Sequence, residues 1–421
     1  MRNRIPILKI LSMRKIYVLF GIFAYSIVAK GQVFEEPQLD AQKFDTVKVK
    51  VGGDFAVQYQ RLMHKADSAL IPLGTGINLP TANLNLDAFL ARGVKVNVTV
   101  YLSSRHHNDT WVKDGYILFD QFPFIKSNFI ENAMNYLTLK IGVMEVNFGD
   151  EHFRRSDNGN VIRNPFVGNY VMDAFTTAPA AELMFRAKGY ILMGGLTSGN
   201  LDPALSGYDA STNTYSMYFI RHELAVYGKI GYDNQFDNKL RVRFTVSGYH
   251  SANNHRGSLY FGDRTGSRYY LVMNKITDNA SDVDPSVNHL SGNWGPGFTD
   301  KLNSVMTNLF TSYRGIEFFG TYEMAKGTNA PGGTNFKFSQ YAAEGLYHFG
   351  GHRQFYGGAR YDFVKNDAGS SVTRMQFGAG WNMTHNLIAK LEYVRQNYDK
   401  FAIYGNNARF YGFMFEAAVS F

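Results

Sequence analysis

The chain has 421 residues, no cysteine, 15% aromatic residues, and 43 Lys and Arg against 35 Asp and Glu. Without thiols, disulfide frameworks and thiolate metal sites are excluded. Six of the bases fall in residues 1–31, which hold no acid; the remaining 37 against 35 give nucleic-acid binding no electrostatic support.

Arg2, Arg4, Lys9, Arg14 and Lys15 precede an apolar run, Ile16 to Val28, which is followed by Ala29, Lys30 and Gly31. That order predicts a cleaved secretory signal peptide over 1–31, with small residues at the two positions that a signal peptidase reads before Gln32. Met13 to Gly31 is a complete signal by itself, so either Met1 or Met13 serves as the start. Residues 32–45, "QVFEEPQLDAQKFD", are polar and patternless and read as a short periplasmic lead-in.

From residue 46 to the end a period of two recurs. In "TANLNLDAFLA", Leu84, Leu86 and Ala88 oppose Asn83, Asn85 and Asp87; in "VKVNVTVYL", Val96, Val98 and Val100 oppose Lys95, Asn97 and Thr99. Strands are expected near 52–62, 81–91, 93–103, 112–119, 135–148, 179–187, 189–198 and 215–230. Eight more follow near 239–251, 302–313, 315–326, 336–349, 354–365, 371–383, 387–398 and 409–421. Connections after even-numbered strands are mostly short, such as Arg92-Gly93, Lys188-Gly189 and Arg314-Gly315, and those after odd-numbered strands are mostly long. The exceptions are 120–134, too long for a turn, and 366–370, short for an outer loop.

This alternation predicts an all-β fold: a transmembrane antiparallel β-barrel of 16 strands over 46–421, with short periplasmic turns and long extracellular loops. The count becomes 18 if "GSLYFGDRTGSRYYLVM", within 252–301, spans as a hairpin. No stretch after the signal reaches the roughly 18 apolar residues of a membrane-spanning helix, and barrel strands of about 10 alternating residues leave none. A soluble sandwich or propeller with one face so apolar would expose a very large patch. In lipid every backbone polar group must be paired, so the sheet has to close. The last strand, "RFYGFMFEAAVSF", therefore pairs with the first and turns Tyr411, Phe413, Phe415, Ala417, Val419 and Phe421 to lipid. Its terminal Phe421 resembles the assembly signal that barrel-assembly machinery reads in outer-membrane barrels.

A 16-stranded barrel is wide enough for an aqueous bore unless loops fill it. Reading the alternation through, the inward bases include Lys95, Lys140, Arg186, Lys229, Arg241, Arg243, Arg360, Arg374 and Lys390. The inward acids include Asp87, Glu182, Glu223, Glu317, Glu323, Glu344, Asp362 and Glu392. The wall is nearly balanced, and part of it pairs across strands to hold the barrel's shape. The long third outer loop, "GDEHFRRSDNGNVIRNPFVGNYVMDAF", sets Arg154, Arg155, Asp157 and Arg163 among aromatic residues. Those aromatics suit a loop that folds into the pore, where the four charged residues form a constriction; the other reading is a solvated surface loop.

Other chemistry finds little footing. His106 and His107 in "SSRHHNDTW" are adjacent and point apart, and Asp278, Asp282 and Asp284 fit no EF-hand spacing. Trp294, Tyr269 and Tyr270 read as packing against the barrel rim before sugar stacking. "GGLTSGN" lacks the Lys-Ser/Thr ending of a phosphate loop, and GxSxG and HExxH do not occur. No catalytic site, metal or cofactor is read, and an enzyme is not expected.

The signal peptide, the alternating strands, the third loop as quoted and the final Phe421 together resemble the phosphate-selective porin O/P-like family of outer-membrane channels, especially its Bacteroidetes-type members. The resemblance implies a 16-stranded barrel in the outer membrane of a Gram-negative bacterium, a folded-in third loop and often a homotrimer. It does not carry phosphate selectivity, which needs a dense basic ladder that the balanced wall lacks. The expected function is passive diffusion of small hydrophilic solutes, polar or weakly anionic. The alternative is a non-conducting barrel that serves adhesion, glycan binding or a secretion scaffold.

Overall fold

The computed structural model describes residues 31–421 apart from 41–42, 104–108, 157–160, 202–206, 210–212, 217–222, 238, 255–256, 261, 263–264 and 278. Sixteen antiparallel strands close into one barrel. The first eight are β1 (Lys48–Lys65), β2 (Gly76–Ala91), β3 (Val94–Ser103), β4 (Trp111–Phe119), β5 (Leu137–Glu145), β6 (Thr177–Ala187), β7 (Tyr190–Thr197) and β8 (Ala225–Phe236). The rest are β9 (Leu240–Ser251), β10 (Leu302–Tyr313), β11 (Ile316–Gly327), β12 (Phe336–Phe349), β13 (Phe355–Asn366), β14 (Ser371–Asn382), β15 (Leu387–Asp399) and β16 (Arg409–Ser420). Closure runs from Asp54↔Ser420 to Lys65↔Arg409, and Phe421 exchanges both backbone hydrogen bonds with Gly53 at 2.9 and 3.1 Å. No open sheet edge is left in the wall.

The alternation decides which face meets what. In β9, Arg243, Thr245, Ser247 and Tyr249 are buried inside while Phe244 is exposed on the outside. In β16, Phe413 and Phe415 face out, and Phe410, Met414 and Glu416 are fully buried within. Around the rim that carries the short turns, Tyr347, Phe349, Phe355 and Trp381 stack in succession at 6.2, 5.8 and 6.0 Å. Such a girdle marks a membrane–water interface. Two of the short turns, Lys188-Gly189 and Arg314-Gly315, hold both residues at positive φ. That is the mirror-image turn whose twist matches a two-residue hairpin.

Two sequence expectations need correction, the bounds of the eighth strand and the inward place of Glu223, while the count of 16 holds. The eighth strand covers 225–236 rather than 215–230, because its register is set by β7 through Ala225↔Thr197 and by the tight turn to β9 through Phe236↔Leu240. Thr214–Ser216 instead pairs with Gly207–Asp209 in a small separate hairpin, and Glu223 precedes the strand that was to turn it inward. The "GSLYFGDRTGSRYYLVM" segment adds no strand among the described residues, so the count stays at 16. Its Tyr260, Tyr269, Val272 and Met273 are buried within the barrel, where they meet Phe148, Val171, Met306 and Phe410 in one apolar cluster. Loop 3 (146–176) and loop 5 (252–301) thus share an internal core. The long connection 120–136 carries a helix, α1 (Asn128–Met134), capped by Ser127.

Candidate functional site

Loop 3 turns inward because its apolar residues have nowhere else to go: Phe148, Phe166, Val167, Tyr170, Val171, Met172 and Phe175 are all buried. It enters past β10 at Gly149, where φ is +72° and an added Cβ would lie 2.0 Å from the Met306 sulfur. Only glycine fits that approach.

The wall then clamps the loop backbone. Glu392 Oε2 accepts from the N–H groups of Val167 and Gly168 at 2.8 and 3.2 Å, and Asp362 Oδ2 accepts from that of Val171 at 2.7 Å. Arg360 donates to Gly168 O at 3.0 Å, Arg374 to Asn169 O at 2.5 Å and Lys390 to Val161 O at 2.6 Å. Acids on β13 and β15 take N–H groups of the loop, and bases on β13, β14 and β15 take its carbonyls. This satisfies buried backbone groups that have no sheet partner.

Each predicted constriction residue has a distinct place. Arg154 is buried between Glu344 (2.5 Å) and Glu317 (2.7 Å), and Arg360 takes the other oxygen of Glu344 at 2.7 Å. Burial alone would depress the Arg154 pKa, but Glu344 and then Glu317 outweigh it and hold the pKa above its ordinary value. Arg155 makes a two-pronged contact with Asp173 of the same loop at 3.0 and 2.7 Å, with its guanidinium 4.1 Å from the Phe175 ring. Arg163 donates to Val33 O at 3.2 Å and, with Arg154, His348 and His385, borders a cavity of about 150 Å³. Asp157 lies outside the described residues, as do His106, His107 and Asp278.

On the opposite wall, Asp150 of loop 3 meets Lys229 at 2.9 Å and Arg243 at 2.8 Å. Burial would raise its carboxyl, but Arg243 and then Lys229 hold it well below the usual carboxylate range. Next to it, Glu151 has no such cation among the described residues. Burial first, then the charges of Glu323 and Asp362, push its carboxyl well above the ordinary value, and Gln340 donates to both its oxygens at 3.2 Å.

The segment read as a periplasmic lead-in does not hang below the barrel at its start. Gln32 and Phe34 are buried, and Gln32 accepts from Arg154 at 3.0 Å and donates to Phe153 O at 3.0 Å. Glu35 pairs with Arg243, Arg241 donates to Gln32 O at 2.5 Å, Arg186 donates to Glu36 O at 2.7 Å, and Lys95 pairs with Glu36. Lys140 stands 3.9 Å from the Tyr116 ring. The alternation rule missed this segment because it lies outside any strand; the signal present was "VFEE", an apolar-acidic run ahead of a wall with one base in excess. It also missed the pair Arg268–Glu416 at 2.9 Å, although Glu416 stands on the inward row of the last strand.

The remaining loop features are structural. Asp282 accepts from Thr277 N at 2.7 Å, Asp284 caps a short helix through Ser286 N at 2.8 Å, and Trp294 packs on Phe338 and Phe401 at 5.0 Å each.

Neither a family model nor a curated protein matches the chain. Solved structures of similar fold include an anion-selective porin from Comamonas acidovorans (10% identity, 89% of this chain and 100% of that one, TM-score 0.51). OprB of Pseudomonas putida, from its high-pH structure, is another (9% identity, 89% and 94%, TM-score 0.51). The outer membrane channel DcaP of Acinetobacter baumannii is a third (10% identity, 89% and 98%, TM-score 0.50). With its apolar exterior, this chain is a multi-pass β-barrel of the outer-membrane type, the fold that these porins share. The likeness reaches porin barrels in general and does not single out the O/P-like family.

Proposed function

We propose that this protein is a passive diffusion channel for small hydrophilic solutes, with loop 3 as its constriction. The observation that supports the reading is the lumen itself: within a 16-stranded wall, charged and amide side chains, not an apolar plug alone, meet the inserted chain. Arg154 and Arg163 border the open cavity and are the loop residues assigned to solute contact; Arg155, locked on Asp173, holds the loop's shape. The carbonyl-bound wall residues Arg360, Arg374 and Lys390 position the constriction.

The test is planar-bilayer conductance with a solute-size cutoff. Arg154→Ala and Arg163→Ala are expected to change single-channel conductance and reversal potential; unchanged values remove loop 3 from the constriction. Protein that forms no channels at all returns the non-conducting alternative. O/P-like membership and a homotrimer belong to the same proposal, and crosslinking in native membranes that stops at the monomer removes the trimer.

A further inference from the structure

Residues 32–36 occupy the lumen as a ligand would. Arg243 grips the Glu35 carboxylate with two parallel bonds, at 2.7 and 2.6 Å, and the Lys229 ammonium stands 3.6 Å away. Fork-on-carboxylate pairing of this kind is how arginine recognises carboxylates selectively. Among the described residues the ion-pair network around Glu35 links three bases, Lys229, Arg241 and Arg243, to Asp150 and Asp233. Without Glu35 those five groups, of which Arg241 and Asp233 are partly exposed, carry one uncompensated positive charge, and Glu35 balances it. Burial opposes the Glu35 charge, yet Arg243 and then Lys229 keep its carboxyl below the ordinary value.

An aromatic shim completes the grip. Phe34 lies edge-on to Phe310 at 5.2 Å and to Phe153 at 5.7 Å, under the Arg243 guanidinium at 4.3 Å. The contacts are intramolecular, and the segment is held by side chains and not by a sheet ladder. Leu39 N is held by Asp120 at 2.7 Å on the turn-side rim, and the residues before it carry no regular structure. Cavities of about 150, 80 and 410 Å³ border this segment, and Gln32 or Glu35 lines each of them. The segment is a partition between spaces, not a filler of one.

We propose that Arg243 and Lys229 form a carboxylate-binding subsite, filled in this structure by the chain's own Glu35, and that residues 32–36 are a displaceable plug in the periplasmic side of the channel. Withdrawal of the segment exposes the subsite to small organic carboxylates and joins the cavities beside it. The proposal rests on the channel reading, and its test separates the two.

The full-length protein, exported and purified as barrel, is compared with Glu35→Gln and Phe34→Ala. In planar bilayers the wild type is expected to give small or rare openings and both variants several-fold more current. In detergent, propionate is expected to raise the melting temperature of Glu35→Gln but not of the wild type, and the double variant Glu35→Gln, Arg243→Gln is expected to lose that response. Equal current from all three proteins overturns the plug while leaving the channel standing. If none conducts, the channel reading fails, and the propionate response alone decides the subsite: no gain for Glu35→Gln overturns it. Heat-modifiable migration on gels checks that each variant has formed its barrel.

Discussion

Glu344 sits between two guanidinium groups, Arg154 at 2.5 Å and Arg360 at 2.7 Å, all three buried. Glu344→Gln leaves two neighbouring cations short of their counter-charge, and breaking a buried pair costs about 3–5 kcal/mol. The expected outcome is a lower melting temperature in detergent and a loop 3 newly open to protease; an unchanged melt contradicts the assigned geometry. Glu151 makes the opposite prediction. Its folded pKa is raised, so its stabilising contribution is complete below the unfolded value of roughly 4.3 and is lost as pH rises through the folded one. Glu151→Gln, which keeps the shape and drops the charge, is expected to melt like the wild type in acid and later than it above neutrality. Asp150 runs the other way: its lowered pKa makes its contribution present above about 4 and lost as pH falls.

Elements are held by turns and closure. Gly315 has φ +95°, and a Cβ there would meet His348 O at 2.9 Å. Gly315→Ala is expected to cost about 1–2 kcal/mol and to lower the yield of heat-modifiable barrel on refolding. Phe421 packs over Gly53, where an added Cβ would come within 2.8 Å of its ring, and the two residues exchange backbone bonds that seal the sheet. Phe421→Ala is expected to reduce barrel in outer-membrane fractions more than it lowers the melting point of what does assemble. Equal reduction of both would make Phe421 a packing residue and not an assembly signal. At this scale the sequence was clear: a period of two needs no partner to be seen, and strands β9 to β16 begin and end within about two residues of where alternation put them.

For the whole molecule, bases and acids along the wall nearly cancel, and most are engaged with loop backbone or with each other. Rings of one charge sign set selectivity. Reversal potentials in a salt gradient are therefore expected close to zero once the lumen conducts; a strongly anion-selective value would contradict the balanced wall.

Alternation, turn residues and the absence of long apolar runs determined the closed barrel, its strand number and the sign of each face, because those depend on neighbours two residues apart. What fills the barrel was decided by tertiary structure alone. The contacts of Glu392 with Val167, Arg268 with Glu416 and Glu35 with Arg243 join positions 148 to 225 residues apart. Each loop residue was legible as charged or apolar, but its partner was set by which wall the folded loop happened to face. The same reason hid residues 32–36: with no period of their own, they take their place from the charge and space that the finished barrel leaves.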